Sequence, residues 1–215
     1  MPQLYLLRHA QSEANQSGIL AGPDNSVNLS DKGRNQSLKM SKHLKNIEFR
    51  EIYCSPITRC IQTIEPFLGS RKEIPLIHEE RIKEMNYGRW NGKHLEELRK
   101  KRDWQKIQKS PSKFTFPDGE SFNQLRRRVS SFLTDMEGKD GSILIVSHGD
   151  VIKMILACTL SLPTDKFQNF VISPASISIV NYDHGNRSVI SLNQKIERYS
   201  EKSRFSSFML GGENA

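Results

Sequence analysis

Apolar positions recur along the chain in two rhythms. In the first, short continuous runs stop abruptly on polar or turn residues: four of the five residues at 3–7 are apolar, and EIYC, IPLI and SILIVS repeat the pattern. Runs of that length bounded by turn signals predict buried strands. In the second, apolar residues return every three or four positions. Phe122, Leu125, Val129, Phe132 and Leu133 define one face of a helix in ESFNQLRRRVSSFLTDM. DVIKMILACTL and HLEELRKKRDWQKIQ are further helical segments. A helix is predicted over 31–45, capped by Ser30 and packed through Leu38, Ser41 and Leu44. Another is predicted within SPITRCIQTIEPFL, with Ser55 as N-cap and Pro56 in the first helical position, where its missing N–H costs nothing.

Strands therefore alternate with helices, and the late pair ASISIVNYD and SVISLN flanks the turn HGN as a hairpin. That order predicts an α/β three-layer sandwich, with a mostly parallel central sheet, helices on both faces and an antiparallel edge. No internal repeat divides the 215 residues, and the length suits one domain over 1–215. From about residue 194 a polar tail follows, with only Phe205, Phe208, Met209 and Leu210 to anchor it. The late hairpin offers an edge either for a homodimer or for that tail to cover.

Charge adds one constraint. A net charge of +8 concentrates anions around the protein, whether nucleic acid or a phosphorylated metabolite. Segment 93–113 holds eight Lys/Arg against three Asp/Glu, and Arg126, Arg127 and Arg128 form a second cluster. Neither is interleaved with aromatics as a base-stacking platform requires, so both are read as solvated faces and nucleic acid is not the expected partner. Cys54, Cys60 and Cys158 cannot all pair and show no ligand spacing, which fits a reducing cytoplasm. The amino terminus lacks the pattern of an export signal, and no apolar stretch is long enough to span a membrane. His43, His78, His94 and His184 lie in surface or turn contexts without a metal-binding pattern, so no metal and no cofactor are expected.

The first strand ends on Arg8 and His9, two groups that core burial penalises. In open α/β sheets ligands bind beyond the carboxyl ends of strands. His148 and Gly149 end SILIVS in the same way, so neighbouring strands would bring both histidines and Arg8 to one rim. Arg59, in the first turn of its helix, would add a second guanidinium close to a positive helix end. A neutral imidazole in such an anion pocket can attack phosphorus, and a carboxyl of raised pKa can protonate the departing oxygen. Glu84, in RIKEMNYGRWNG, is the candidate acid.

At these residues the chain resembles the histidine phosphatase superfamily, the phosphoglycerate mutase-like group. LLRHAQSEAN is similar to that family's L-x-R-H-G-x-[ST]-x-x-N signature, which implies that His9 is the phosphorylated nucleophile and that Arg8 and Asn15 hold the phosphoryl group. SPITRCIQT resembles S-x-x-x-R-x-x-x-T and implies a phosphate-binding Arg59. EMNYGRWNG resembles E-x-x-x-G-x-[WF]-x-G and implies that Glu84 is the proton donor, while VSHG implies that His148 contacts the phosphate. PDGES, at 117–121, is also family-like. Two positions depart from the pattern: Ala10 follows the nucleophile where glycine is usual, and Ala14 stands where mutases usually have tryptophan.

The resemblance implies a phosphomonoester as substrate and leaves two fates for the phosphoryl group, transfer to water or to a sugar-acid hydroxyl. Mutases of the family carry a longer basic insertion between acid and second histidine; only 63 residues lie between Glu84 and His148 here, which favours a phosphatase. DWQKIQKSPSKFTFPDGES, SHGDVIKMIL and ISPASISIV resemble a subgroup labelled phosphomutase or phosphatase. A bisphosphoglycerate-dependent phosphoglycerate mutase and a non-catalytic binder of phosphorylated partners or nucleic acid are the alternatives.

Overall fold

The short apolar runs do form the strands. The computed structural model describes residues 2–183 and 185–196, and a six-stranded sheet runs through them. The strands are β1 (Gln3–Arg8), β2 (Phe49–Cys54), β3 (Leu76–His78), β4 (Ser142–Ser147), β5 (Ser176–Asp183) and β6 (Asn186–Lys195). Their order is β3-β2-β4-β1-β5-β6. The first four are mutually parallel, and β5 runs antiparallel to both β1 and β6. The helices are α1 (Glu13–Gln16), α2 (Asp31–Leu44), α3 (Thr58–Leu68), α4 (Leu95–Arg99), α5 (Arg102–Lys109), α6 (Phe122–Thr134) and α7 (Gly149–Thr159).

Successive side chains of a strand point to opposite faces, so continuous apolar runs fill two cores. Leu4, Leu6, Ile143 and Ile145 pack with Phe132 of α6 and Ile155 of α7 on one face. Leu7, Leu144 and Val146 pack with Met40 of α2 and Phe67 of α3 on the other. Each fully buried Leu, Ile, Val or Phe contributes about 1.5–3 kcal/mol, and β4, central and apolar on both faces, contributes to both cores. All five residues expected on the α6 face are buried.

Three local expectations fail for identifiable reasons. Leu38 is 53% exposed, because α2 buries the face that carries Gly33, Ser37, Met40, Ser41 and Leu44, with Ser37 bonded to α3. Ser37 Oγ donates to Thr63 O at 2.7 Å, which makes a buried serine the better fit. The segment around 94–108 breaks into α4 and α5: Leu98 and Ile107 are both buried, yet nine residues apart in one continuous helix they would face about 180° from each other. The helix after β2 begins at Thr58, with Ile57 in the capping position, so Ser55 is not its N-cap. Cys54, Cys60 and Cys158 are buried free thiols. His184 and the tail anchors Phe205, Phe208, Met209 and Leu210 lie outside the described residues. Among the described residues, no helix is long and apolar enough to cross a membrane.

Candidate active site

Because β1 pairs in parallel with β4 and places Arg8 opposite Ser147, the two strands release His9 and His148 side by side. The His9 amide still donates to Ser147 O at 2.9 Å, and the two imidazole centroids lie 5.2 Å apart. Both rings are at most 2% exposed. His9 Nδ1 lies 2.8 Å from Ala10 O. A carbonyl can only accept, so Nδ1 carries the proton and Nε2 keeps its lone pair. Burial, then Arg8 and Arg59, hold the His9 pKa well below its ordinary value, so the ring is neutral and nucleophilic near neutral pH. Ala10 is fully buried, and its amide donates to Thr63 Oγ1 at 2.9 Å, which ties the loop after His9 to α3.

Arg59 rises from the first turn of α3 and is 1% exposed. It donates to Gly22 O at 2.7 Å, Asp24 O at 3.1 Å and His148 Nδ1 at 3.2 Å. Gly22 has φ +61°, and a Cβ there would come within 2.0 Å of Asn91 Oδ1, so only glycine presents that carbonyl. Since Arg59 cannot accept, His148 Nδ1 does, and His148 Nε2–H donates to Ser55 Oγ at 2.8 Å. The Ser55 hydroxyl can reverse this bond, which would let Nδ1–H turn to an oxyanion. Burial, followed by Arg59, pushes the His148 pKa well below its ordinary value.

Arg8 donates from Nη1 to Ile172 O at 2.5 Å, while its buried Nε has no hydrogen-bond partner among the described residues. A bound oxyanion would compensate that cost. Gly149 permits the approach, since a Cβ there would lie 3.2 Å from Arg8 Cζ. Asn15 accepts from the Ser12 amide at 3.2 Å through Oδ1, closing a capping box on α1, and leaves its side-chain NH2 to donate at the cavity wall.

Glu84 stands across from the histidines. Its Oε1 accepts from the Met85 amide at 2.9 Å, and its Oε2 lies 3.8 Å from His148 Nδ1. Burial first, and the Asp150 charge second, push its pKa up to about 7 against the opposing pull of Arg59 and Arg8. At neutral pH this carboxyl can therefore give and take a proton. Asp150 accepts from Tyr87 Oη at 2.9 Å and pairs with Lys153 at 3.3 Å. Burial raises the Tyr87 pKa well above its ordinary value, so that hydroxyl keeps its proton.

One cavity of about 520 Å³ gathers Arg8, His9, Asn15, Arg59 and Glu84. His148 sits directly behind them, in contact with Arg59. Sequence reasoning brought this set together but missed two supports. Ser55 resembled a helix cap, and only its place directly after an apolar strand end pointed elsewhere; Asp150 was absorbed into the start of α7. Trp90 and Trp104 both line the cavity while packing against the core.

The chain is 30% identical over 200 residues to Phosphoserine phosphatase 1 of Hydrogenobacter thermophilus, covering 90% of this chain and 92% of the relative. It is 26% identical to the adenosylcobalamin/alpha-ribazole phosphatase of Salmonella typhimurium, over 90% of this chain and 96% of that protein. The solved structure of Bacillus stearothermophilus YhfR superposes with a TM-score of 0.81 at 28% identity, covering 91% of this chain and all of that one. The family profile of the histidine phosphatase superfamily (branch 1) matches residues 4–195, and the chain belongs to that family.

Proposed function

We propose that this chain hydrolyses a phosphorylated small molecule through a phosphohistidine on His9. His9 Nε2 attacks phosphorus as the ester P–O bond breaks, and the Glu84 carboxyl gives its proton to the departing alkoxide. Glu84, now a carboxylate, takes a proton from water; the water oxygen bonds to phosphorus, the P–N bond breaks, and phosphate leaves. Arg8, Arg59, His148 and Asn15 hold the non-bridging oxygens, whose charge grows tighter to these donors as the group transfers. The observation that carries the reading is the Nδ1–H to Ala10 O bond at 2.8 Å, which aims a neutral Nε2 at the guanidinium-lined corner. Three buried free thiols fit a cytoplasmic enzyme.

The test pairs wild type with His9→Ala on an aryl phosphate and on 3-phosphoglycerate with a bisphosphoglycerate primer, following free phosphate and the 2-isomer together. Loss of phosphate release by orders of magnitude in the variant, and an acid-labile phosphoprotein only in wild type, are expected. Unchanged turnover in His9→Ala overturns the proposal. Isomer formation outrunning phosphate release makes the protein a mutase instead, and silence in both channels, with steeply salt-dependent RNA binding, makes it a binder.

A further inference from the structure

The phosphate corner fills only the inner end of the cavity. Its outer end is walled by Leu20, Leu95, Trp104, Phe170 and Val171. The first four are half-buried and Val171 is 70% exposed, so an apolar surface stays open to solvent in direct continuity with His9. Contiguous exposed apolar surface beside polar anchors marks a ligand site. A volume of about 520 Å³ lies within the range that takes drug-sized ligands and exceeds what a three-carbon phosphoacid fills.

The cations around this end are already committed. Lys153 lies 3.3 Å from Asp150 Oδ1 and 3.2 Å from Gln168 Oε1, and Arg8 and Arg59 belong to the phosphate corner. Arg99 remains, an exposed side chain whose guanidinium sits 6.0 Å over the Trp104 ring. Among the described residues, a carboxylate beside the phosphate would therefore meet Asp150 and Glu84 with one exposed arginine to hold it. The basic segment 93–113 turns its lysines outward and lines the cavity with Leu95, Trp104 and Ile107 beside Arg99 and Gln108, so most of what it offers the site is apolar.

Building on the phosphatase reading above, we propose that the alcohol released from His9's substrate carries a bulky apolar group seated on Leu20, Leu95, Trp104, Phe170 and Val171. 3-Phenylpropyl phosphate and propyl phosphate, whose primary alkoxides are matched in leaving-group reactivity, separate this from chemistry, and O-phosphoserine, with the better leaving group, is the third ester. kcat/KM is expected to be at least about tenfold higher for the phenylpropyl ester than for the other two, the scale on which a pocket discriminates added apolar groups. The non-hydrolysable 3-phenylpropylphosphonate is expected to bind at least about tenfold tighter than propylphosphonate by calorimetry. Trp104→Ala should shrink both preferences severalfold. Val171→Ser, at a position too exposed to endanger folding, should shrink them by a smaller factor. Equal or better handling of propyl phosphate or phosphoserine overturns the apolar subsite, as does a preference that survives both substitutions. The phosphonate measurement is independent of turnover. A tight phenylpropylphosphonate with no hydrolysis of any ester keeps the subsite and removes the phosphatase; hydrolysis of all three without preference does the reverse.

Discussion

At the inner end of the cavity His9, Arg59 and His148 are each at most 2% exposed and each is tied to a backbone or side-chain partner. At the outer end Leu20, Leu95, Trp104 and Phe170 are half-buried, Val171 is open, and the wall is carried by short helices and loops. The inner end hangs on β1, β4 and α3, whose positions the two cores fix. Displacing a nucleophile or a phosphate ligand by an ångström costs orders of magnitude in rate, whereas an apolar wall gains or loses affinity smoothly with area. Precision is thus concentrated where the sheet supplies it. The outer wall can change with little strain on the fold, and that is where members of one family can come to differ in substrate.

The most severe way to break this contrast is Arg59→Ala. It removes the guanidinium that holds Gly22 O, Asp24 O and His148 at once. Losing one partner of a buried charged network destabilises the fold by about 3–5 kcal/mol, and losing a donor to the transferring phosphoryl group lowers the rate by roughly 10²–10³ besides. The loss should be the same for every ester tested, because all share the phosphoryl group. A loss that depended strongly on the alcohol would mean that the two ends are not separable.

Glu84→Gln should rank next, with a fall of about 10²–10⁴ on alkyl phosphates, the range for a lost general acid. On 2,4-dinitrophenyl phosphate, whose leaving group departs without a proton, the deficit in phosphorylation should nearly vanish. Wild-type kcat/KM should decline as pH rises through about 7, where the carboxyl ionises, and the variant should lack that limb. An equal deficit on both esters would remove Glu84 from the donor role.

How far the sequence alone reached follows the same divide. Strand ends carrying Arg8-His9 and His148-Gly149 were legible because a buried apolar run that stops on an arginine or a histidine has few structural explanations, and β1 and β4 do lie side by side. Arg59 was legible as a first-turn arginine. Ser55 was misread because serine before proline has the chemistry of a helix cap, and nothing local announces a histidine 93 residues away at 2.8 Å. The outer wall was hidden in a different way. Segment 93–113 is dominated by lysine and arginine, and the break between α4 and α5 that turns Leu98 and Ile107 to the same interior is set by tertiary packing. Leu38 failed for the converse reason, since a helix–helix contact through Ser37 outweighs the apolar pattern.

Asp150 sits on the border between the two ends, and the smallest effect tests which end it serves. Its carboxylate is a like charge beside Glu84 and the second cause, after burial, of that raised pKa. Asp150→Asn removes the repulsion and frees Lys153 from its pair, and both changes favour the Glu84 carboxylate. Arg8 and Arg59 already pull in that direction, Tyr87 can still donate to the asparagine Oδ1 and stays protonated, and His148 is neutral, so no charged group facing Glu84 among the described residues opposes the shift. The pKa must fall, less acid is present at pH 7, and the alkaline limb of kcat/KM moves to lower pH. It should stop short of the ordinary carboxylate range because burial, the larger cause, is untouched. The rate on propyl phosphate should drop severalfold at pH 7 and little at pH 5.5. The ester's own ionisation is common to both enzymes and cancels in their ratio. In a Glu84→Gln background the same substitution should move no limb. An unmoved limb together with a lost phenylpropyl preference would assign Asp150, with Lys153 and Gln168, to holding the outer wall rather than to tuning the acid.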